Sequence, residues 1–342
     1  DCMPKLSVVV PVGDGRQQNL LNTLHALEQQ SLGTDQFEVI VVQDGGFDPI
    51  LEVCQFAPHL DLRYVKIPKF ERKQDRPPRN VGALLARYGH LVFLDSDIIL
   101  HRDALSYYSE DFDAEPTGIV AGMYDWLPPA KITLADVERG LDSIYFLAPH
   151  TNPDGSQDVA PQLYVPTLPF PKGVATHNVC RDIRRPMFME TDHTVRYCGP
   201  GNMNVYLGMF SGNLGIAVPT FWAAGGYWEE LTAGIVDDGA FGLTCWTHSV
   251  RRDQNLNIVE PVEQKLEFAV RLDKRIRAAH QYHDRNLDFV QATNQREVPL
   301  INRRFRLEEY ADGQPPILPA SLFDLTVAVN RAWGTDAWNK SF

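Results

Sequence analysis

The sequence predicts an α/β fold, a mostly parallel sheet flanked by helices, and three observations predict it. Short β-branched runs recur along the first hundred residues, too short for helices and apolar throughout. Between them lie segments whose apolar residues repeat at helical spacing. The order is strand, helix, strand, strand, helix, strand, which joins parallel strands through helical crossovers.

The first strand is "KLSVVVPV" (Lys5–Val12), stopped by a Pro and a Gly-Asp-Gly turn. Leu20, Leu21, Leu24 and Leu27 in "NLLNTLHALEQQS" give an amphipathic helix. "FEVIVVQDGG" (Phe37–Gly46) is a second buried strand ending in a Gly-rich turn, and "LRYVKIP" a shorter third. "NVGALLARYG" fits a helix with Gly89 at its end, feeding the strand "HLVFLDSD". Ligands of such sheets sit off the carboxyl ends of the strands. Asp14, Asp44, Asp95 and Asp97 all fall there.

From about 105 to 200 prolines cluster among aromatic and polar residues, and only "TLADVERGLDSIYF" keeps a clean period. This reads as a long excursion packed over the sheet. "GNMNVYLGMFSGNLGIAVPTFWAAGGY" returns to strand-and-turn chemistry, with Gly212-Asn213 marking a strand. "EQKLEFAVRLDKRIRAAHQYH" leads to a carboxy-terminal region holding one helix, "PASLFDLTVAVNRAW". The organisation expected is an α/β half at 1–104, a second half of the same domain at 105–285 with its insertion at about 105–200, and an extension at 286–342. Repeats and low-complexity segments are absent from the sequence.

Composition narrows the class. Of the 342 residues 44% are hydrophobic and 22% charged, which a globular core accommodates. The formal charge of -12 argues against nucleic acid, whose phosphates need a basic face, and against docking on anionic lipid. Five scattered cysteines show no zinc spacing, which favours reduced thiols. The chain begins at Asp1 rather than Met, as it would if a piece upstream had been removed. No charged-then-apolar leader and no transmembrane run is present in it. The expectation is a soluble, cytoplasmic protein.

Asp95-Ser96-Asp97 carries the chemistry. Alternate strand residues share a face, so the two carboxylates can point together as the strand leaves the sheet. Two hard oxygen ligands there suit Mg²⁺ or Mn²⁺ held jointly with a diphosphate. A solvated turn with an Asp capping a helix is the other reading of the same residues.

"SVVVPV", "VIVVQDGG", "RNVGALLA", "VFLDSD", "GGYWEEL" and "DDGAFGL", in this order, resemble a family 2 glycosyltransferase with the GT-A fold, a Rossmann-like architecture of the nucleotide-diphosphosugar transferase superfamily. The resemblance covers about residues 5–100 and 200–285. It implies a metal-dependent transfer of a sugar from a nucleotide-diphosphate sugar, of UDP or GDP type, to an acceptor hydroxyl such as that of a carbohydrate. Pro11, Val12, Gly13, Asp14 and Asp44 would hold the nucleoside; a turn residue is the plainer reading of Asp44. Arg79, Asn80, Asp95 and Ser96 would also contact the nucleotide; alternatively Arg79 is a surface charge and Asn80 a helix cap. The family usually has two acids where this chain has Gln43-Asp44.

The resemblance also implies that Asp95, Asp97 and a histidine hold the ion. His280 is the preferred match and His283 the reserve, although adjacent histidines are often surface residues. Asp238 would be the general base that deprotonates the acceptor, giving inversion, with Asp237 beside it where the family has Glu. Two acids favoured by a helix dipole are the alternative. Trp222, Gly226, Tyr227 and Trp228 would form the acceptor side, an aromatic stacking on the apolar face of a sugar ring. Core packing explains Trp222, Trp126 and Tyr124 equally well. His177, His193 and His248 read as structural. The rival classes are a sugar nucleotidyltransferase, whose Gly-rich basic loop "PVGDGRQQN" matches weakly, and a non-catalytic carbohydrate-binding relative. The latter would be expected to lose Asp97 or Asp238. No GxGxxG follows the first strand, which disfavours a nicotinamide dehydrogenase.

Overall fold

The computed structural model describes residues 5–68, 76–126, 132–141, 187–189, 194–197, 211–228, 240–242, 245, 251–252, 258–260 and 270–281. In chain order the elements are β1 (Leu6–Val12), α1 (Gln17–Glu28), β2 (Phe37–Asp44), α2 (Ile50–Cys54), β3 (Leu62–Ile67), α3 (Arg76–Leu85), β4 (His90–Leu94) and β5 (Ile98–Leu100). There follow α4 (Ala104–Ala114), β6 (Ile119–Trp126), α5 (Leu134–Arg139), β7 (Met187–Met189), β8 (Thr194–Tyr197), β9 (Asn213–Ala217) and α6 (Val218–Ala223). The last are β10 (Arg251–Arg252), β11 (Ile258–Glu260) and β12 (Val270–His280).

The sheet runs β3-β2-β1-β4-β9-β6-β12-β8-β7, with β5 pairing β12. From β3 through β12 along this path, β9 alone is reversed: it is antiparallel to β4 and to β6, while the other neighbours pair in parallel. The mostly parallel sheet expected from the sequence is therefore present. Chain direction across the sheet changes between β1, which leads outward to β2 and β3, and β4, which leads the other way. That is a topological switch point, where a crevice opens off the strand ends.

Both faces of β1, β2 and β4 are buried, which is why they read as largely apolar runs. Leu6, Val8, Val10, Val39 and Val41 pack with Leu20, Leu24 and Leu27 of α1 in one layer. Each of those fully buried leucines contributes roughly 1.5–3 kcal/mol. Across the sheet, α3 lies on β1 so closely that a Cβ on Gly82 would collide with the Val9 side chain. Phe93 of β4 meets Phe221 and Tyr227 on this second face.

Three expectations are corrected. The second helix covers Arg76–Leu85 rather than ending at Gly89. Pro77 and Pro78 are tolerated because first-turn amides have no helical acceptor to lose. Residues 104–126, read as part of the excursion, form α4 and the central strand β6. Ala104, Leu105, Tyr108 and Phe112 make an apolar helix face there. β12 is hidden in sequence by its charges, because Asp273 is fully buried and Arg271 and Arg275 lie partly buried over the flank of α4. α6 also replaces part of a segment read as strand and turn.

A capping box opens α5: the Thr133 side chain accepts from the Asp136 amide and Asp136 reaches back to Thr133. Cys54 and Cys245 are buried free thiols. Burial pushes the Cys54 thiol up to about 12. Among the described residues no helix is long and apolar enough to cross a membrane. The helix expected at 319–333, His177, His193 and His248, and the side chains of Tyr124 and Trp126, lie outside the described residues.

Candidate active site

The carboxyl ends of β1, β2, β4 and β12 meet at the switch point. β1 delivers Pro11 and Val12, opposite Val42 and Gln43 of β2. Beyond them the two loops clasp each other. The Asp14 carboxylate accepts from the amides of Phe47, at 3.2 Å, and Asp48, at 3.5 Å, while Asp48 accepts from the Gly15 amide. Gly13 lies at the start of this clasp, and Gly46 has φ 77°, so that a Cβ there would collide with the Asp14 carboxylate. Asp14 thus shapes this loop from within it. Asp44 closes β2 and is buried.

Gln43, standing where the family usually has an acid, is fully buried. Its amide donates to the Asp48 carbonyl at 3.2 Å and accepts from the Tyr64 hydroxyl at 2.5 Å. A carboxylate here would accept from Tyr64 but lose the bond to Asp48. The neutral amide therefore suits this strand end.

Arg79 and Asn80 come from α3 and reach in two directions. The buried Arg79 guanidinium donates to Asp95 Oδ1 at 2.5 Å and sits 5.5 Å over the Tyr227 ring. It is not a surface charge. Asn80 makes a reciprocal pair with the Tyr227 backbone, donating to its carbonyl and accepting from its amide, both at 2.9 Å. The structure thus gives Asn80 a partner other than the nucleotide, and joins α3 to the Gly225-Gly226-Tyr227 turn.

Asp95, Ser96 and Asp97 form the short link between β4 and β5. Every carbonyl of the three accepts a bond from the protein. Asp95 O takes the Ile98 amide at 3.1 Å and Asp97 O the Gln281 amide at 2.8 Å, while Ser96 O takes the Thr23 hydroxyl at 3.0 Å. With its carbonyls held this way, the link has a fixed backbone from which its side chains project.

His280 ends β12, its backbone paired in register with Ile98. Its Nε2 lies 3.5 Å from Asp97 Oδ1, and both residues are buried, at 3% and 6% exposure. Nδ1 lies 2.9 Å from the Gln281 carbonyl. A carbonyl only accepts, so Nδ1 carries a proton and, in the neutral ring, Nε2 presents its lone pair toward Asp97. An imidazole nitrogen and a carboxylate oxygen 3.5 Å apart can both reach one ion with bonds of about 2.1 Å. The donor set fits Mn²⁺ or Mg²⁺. Among the described residues no group of three or more His, Cys, Asp or Glu could hold a metal.

Of the residues expected at the acceptor, Trp222 is 36% exposed and packs edge-on against Phe221 at 4.8 Å. Gly226 has φ 68° and abuts Asn80 and Trp222. The Tyr227 side chain is a pillar of the core, 2% exposed, stacked on Phe241 at 4.5 Å with its hydroxyl 2.6 Å from that of Ser211. Trp228 is half-buried beside it. Asp237, Asp238 and His283 lie outside the described residues.

Sequence reasoning missed Asn22, Thr23 and Gln281, which surround the link from below. A signal existed for Thr23: it stands on the apolar stripe of α1 between Leu20 and Leu27, where a polar residue needs a buried partner.

The family model "Glycosyl transferase family 2" matches residues 7–131. Validoxylamine A glucosyltransferase of Streptomyces hygroscopicus subsp. limoneus is 27% identical over 255 residues, covering 72% of this chain and 49% of the relative. The chain thus spans about half the length of that curated relative. The crystal structure of Staphylococcus aureus TarS 1-349 superposes with a TM-score of 0.57 at 15% identity, covering 96% of this chain and 74% of that one. The same protein in complex with UDP-GlcNAc gives 0.55 at 14%, covering 91% and 70%. The region at residues 7–131 belongs to glycosyl transferase family 2, and the chain has the GT-A fold.

Proposed function

We propose that the protein is a metal-dependent glycosyltransferase that moves a sugar from a nucleotide-diphosphate donor to an acceptor hydroxyl, with inversion. The observation that carries this reading is the meeting of Asp97 and His280 at the switch point, beside Asp95 and the buried Arg79. Asp44 would accept from a base N–H, and the glycines after it let the backbone approach the nucleoside. A UDP-sugar donor is favoured, because a structure of the same fold holds UDP-GlcNAc. Asp97 and His280 would hold Mn²⁺ or Mg²⁺, with Asp95 at its side. When bound, the ion supplies positive charge against the negative charge that builds on the departing diphosphate.

Arg79 would orient the link through Asp95 and add a second positive group near the diphosphate. Trp222 would offer an apolar face to the acceptor sugar. Asp238 would take the proton of the attacking hydroxyl, and that attack from the far side of the anomeric carbon gives inversion. Donor binding measured by calorimetry against UDP-, GDP- and dTDP-sugars, with and without Mn²⁺, tests the reading. Tight binding of a UDP-sugar only with the ion is expected. Equal binding of the donor after chelation would overturn the metal role, and binding of none of the three would overturn the donor class.

A further inference from the structure

A buried polar network lies beneath the Asp95–Asp97 link, and no part of it would touch donor, ion or acceptor. Asn22 and Thr23 are adjacent on α1, and Gln281 follows His280; all three are at most 3% exposed. Asn22 Nδ2 donates to Gln281 Oε1 at 2.7 Å and to the Ile132 carbonyl at 3.3 Å. Gln281 Nε2 donates to the Asn19 carbonyl at 3.0 Å. Asn22 Oδ1 accepts from Gln18 at 3.2 Å. Both amides are therefore engaged at each end, which also fixes which end is oxygen.

The network reaches the link at two points. The Thr23 hydroxyl has one proton and two carbonyls in range, Asn19 at 3.1 Å and Ser96 at 3.0 Å. The Gln281 backbone amide donates to Asp97 O, and its carbonyl accepts from His280 Nδ1. So the residue whose side chain is gripped by α1 also fixes the tautomer of His280 and the backbone of Asp97. A rotation of either peptide would swing the Asp97 carboxylate away from Nε2, because the side chain follows its backbone.

We infer that Thr23 and the Asn22–Gln281 amide pair are positioning residues that hold Asp97 and His280 at ion-binding distance, and so set the affinity for the divalent cation. The inference rests on the proposed metal role of Asp97 and His280. It deepens that role by naming what enforces it. Supporting groups around a metal ligand typically govern affinity by about 10–100-fold.

The test is Mn²⁺ binding to the full chain in the presence of UDP, read from the electron paramagnetic resonance signal of free Mn²⁺, beside thermal melting without the ion. Thr23→Val keeps the shape and removes the hydroxyl. It should raise the Mn²⁺ dissociation constant about tenfold, and Thr23→Ser should restore it to about twofold of wild type. Gln281→Met, which keeps the backbone bonds and removes the amide, should weaken binding in the same direction. It decides the matter if Thr23→Val fails to fold. A melting shift in Thr23→Val and Gln281→Met with an unchanged Mn²⁺ constant would show a structural role only and overturn the inference. Wild-type protein that binds no Mn²⁺ with UDP would instead overturn the metal reading itself, and the inference with it.

Discussion

The two ends of the strands treat buried acids differently. At the amino ends, acids are matched by arginines. Glu38, near the start of β2 and fully buried, accepts from Arg63 at 2.6 Å, from Arg87 at 2.9 Å, from the Arg87 amide at 2.7 Å and from Ser7 at 2.7 Å. Near the start of β12, Asp273 pairs with Arg275 at 2.6 Å and Asp111 with Arg271 at 3.4 Å. At the carboxyl ends the acids instead meet loop amides, an imidazole and Arg79. The first arrangement closes the acids into the scaffold; the second turns them toward a crevice. Burial and charge alone do not separate the two groups, and neither does an arginine, since Asp95 has Arg79; what differs is the loop amides and the imidazole at the carboxyl ends.

Within the amino-end group the number of donors decides the sign of the pKa shift. Burial by itself would raise the Glu38 carboxyl, but Ser7, the Arg87 amide and Arg63 together hold it below its ordinary value. Asp111 has the opposite fate. Burial, then the nearby Asp273 carboxylate, pushes it up to about 7 against the pull of Arg271 and Arg275, and Glu110 adds to the rise. Among the described residues its Oδ2 is buried without a hydrogen-bond partner.

Removing the proposed base, or a carboxyl-end acid, should cost function and spare the fold. Asp238→Asn should lower the transfer rate by about 10²–10⁴-fold with donor affinity unchanged. Rapid-quench assays and calorimetry read the two quantities, and full transfer would remove Asp238 as the base. Asp97→Ala should weaken Mn²⁺-dependent nucleotide binding by about 100-fold and leave the far-ultraviolet circular dichroism unaltered. Undiminished binding would place Asp97 with the structural acids.

The amino-end changes should do the reverse. Glu38→Gln is expected to lower stability by about 1–3 kcal/mol, at the modest end because Arg63 and Arg87 are partly open to solvent. Urea unfolding measures it, and donor affinity should hold. Because the Glu38 pKa is depressed, its contribution is present above 4.5 and is lost as pH falls through the folded value. The stability gap between wild type and Glu38→Gln should therefore narrow in acid. Asp111→Asn is expected to act in the opposite sense. The raised pKa of Asp111 means that its favourable contribution is complete below 3.8 and gone by about 7. Urea midpoints of the variant relative to wild type should thus rise between pH 4 and pH 8, and a fall over that range would contradict the shift.

Much of this was legible along the chain. The parallel half and its strand ends were readable because buried parallel strands are apolar on both faces, so each is a run that any scan detects. Asp14, Asp44, Asp95 and Asp97 stood out as acids that end such runs. β12 was not legible: Arg271, Asp273 and Arg275 look like a solvated segment until α4 is seen to meet their charges. The role of Arg79 was left open between surface and site, since only the fold brings Asp95 and Tyr227 to it.

By itself the sequence determined the alternation of strands and helices, the acids at the strand ends and their likeness to a known family, because these depend on local periodicity and order. Tertiary structure alone decided which atoms meet. It set His280 against Asp97, clamped Asn80 onto Tyr227 and brought α1 beneath the Asp95–Asp97 link. Those contacts join residues far apart in the chain, and their distances follow from sheet order and register, which local composition does not encode.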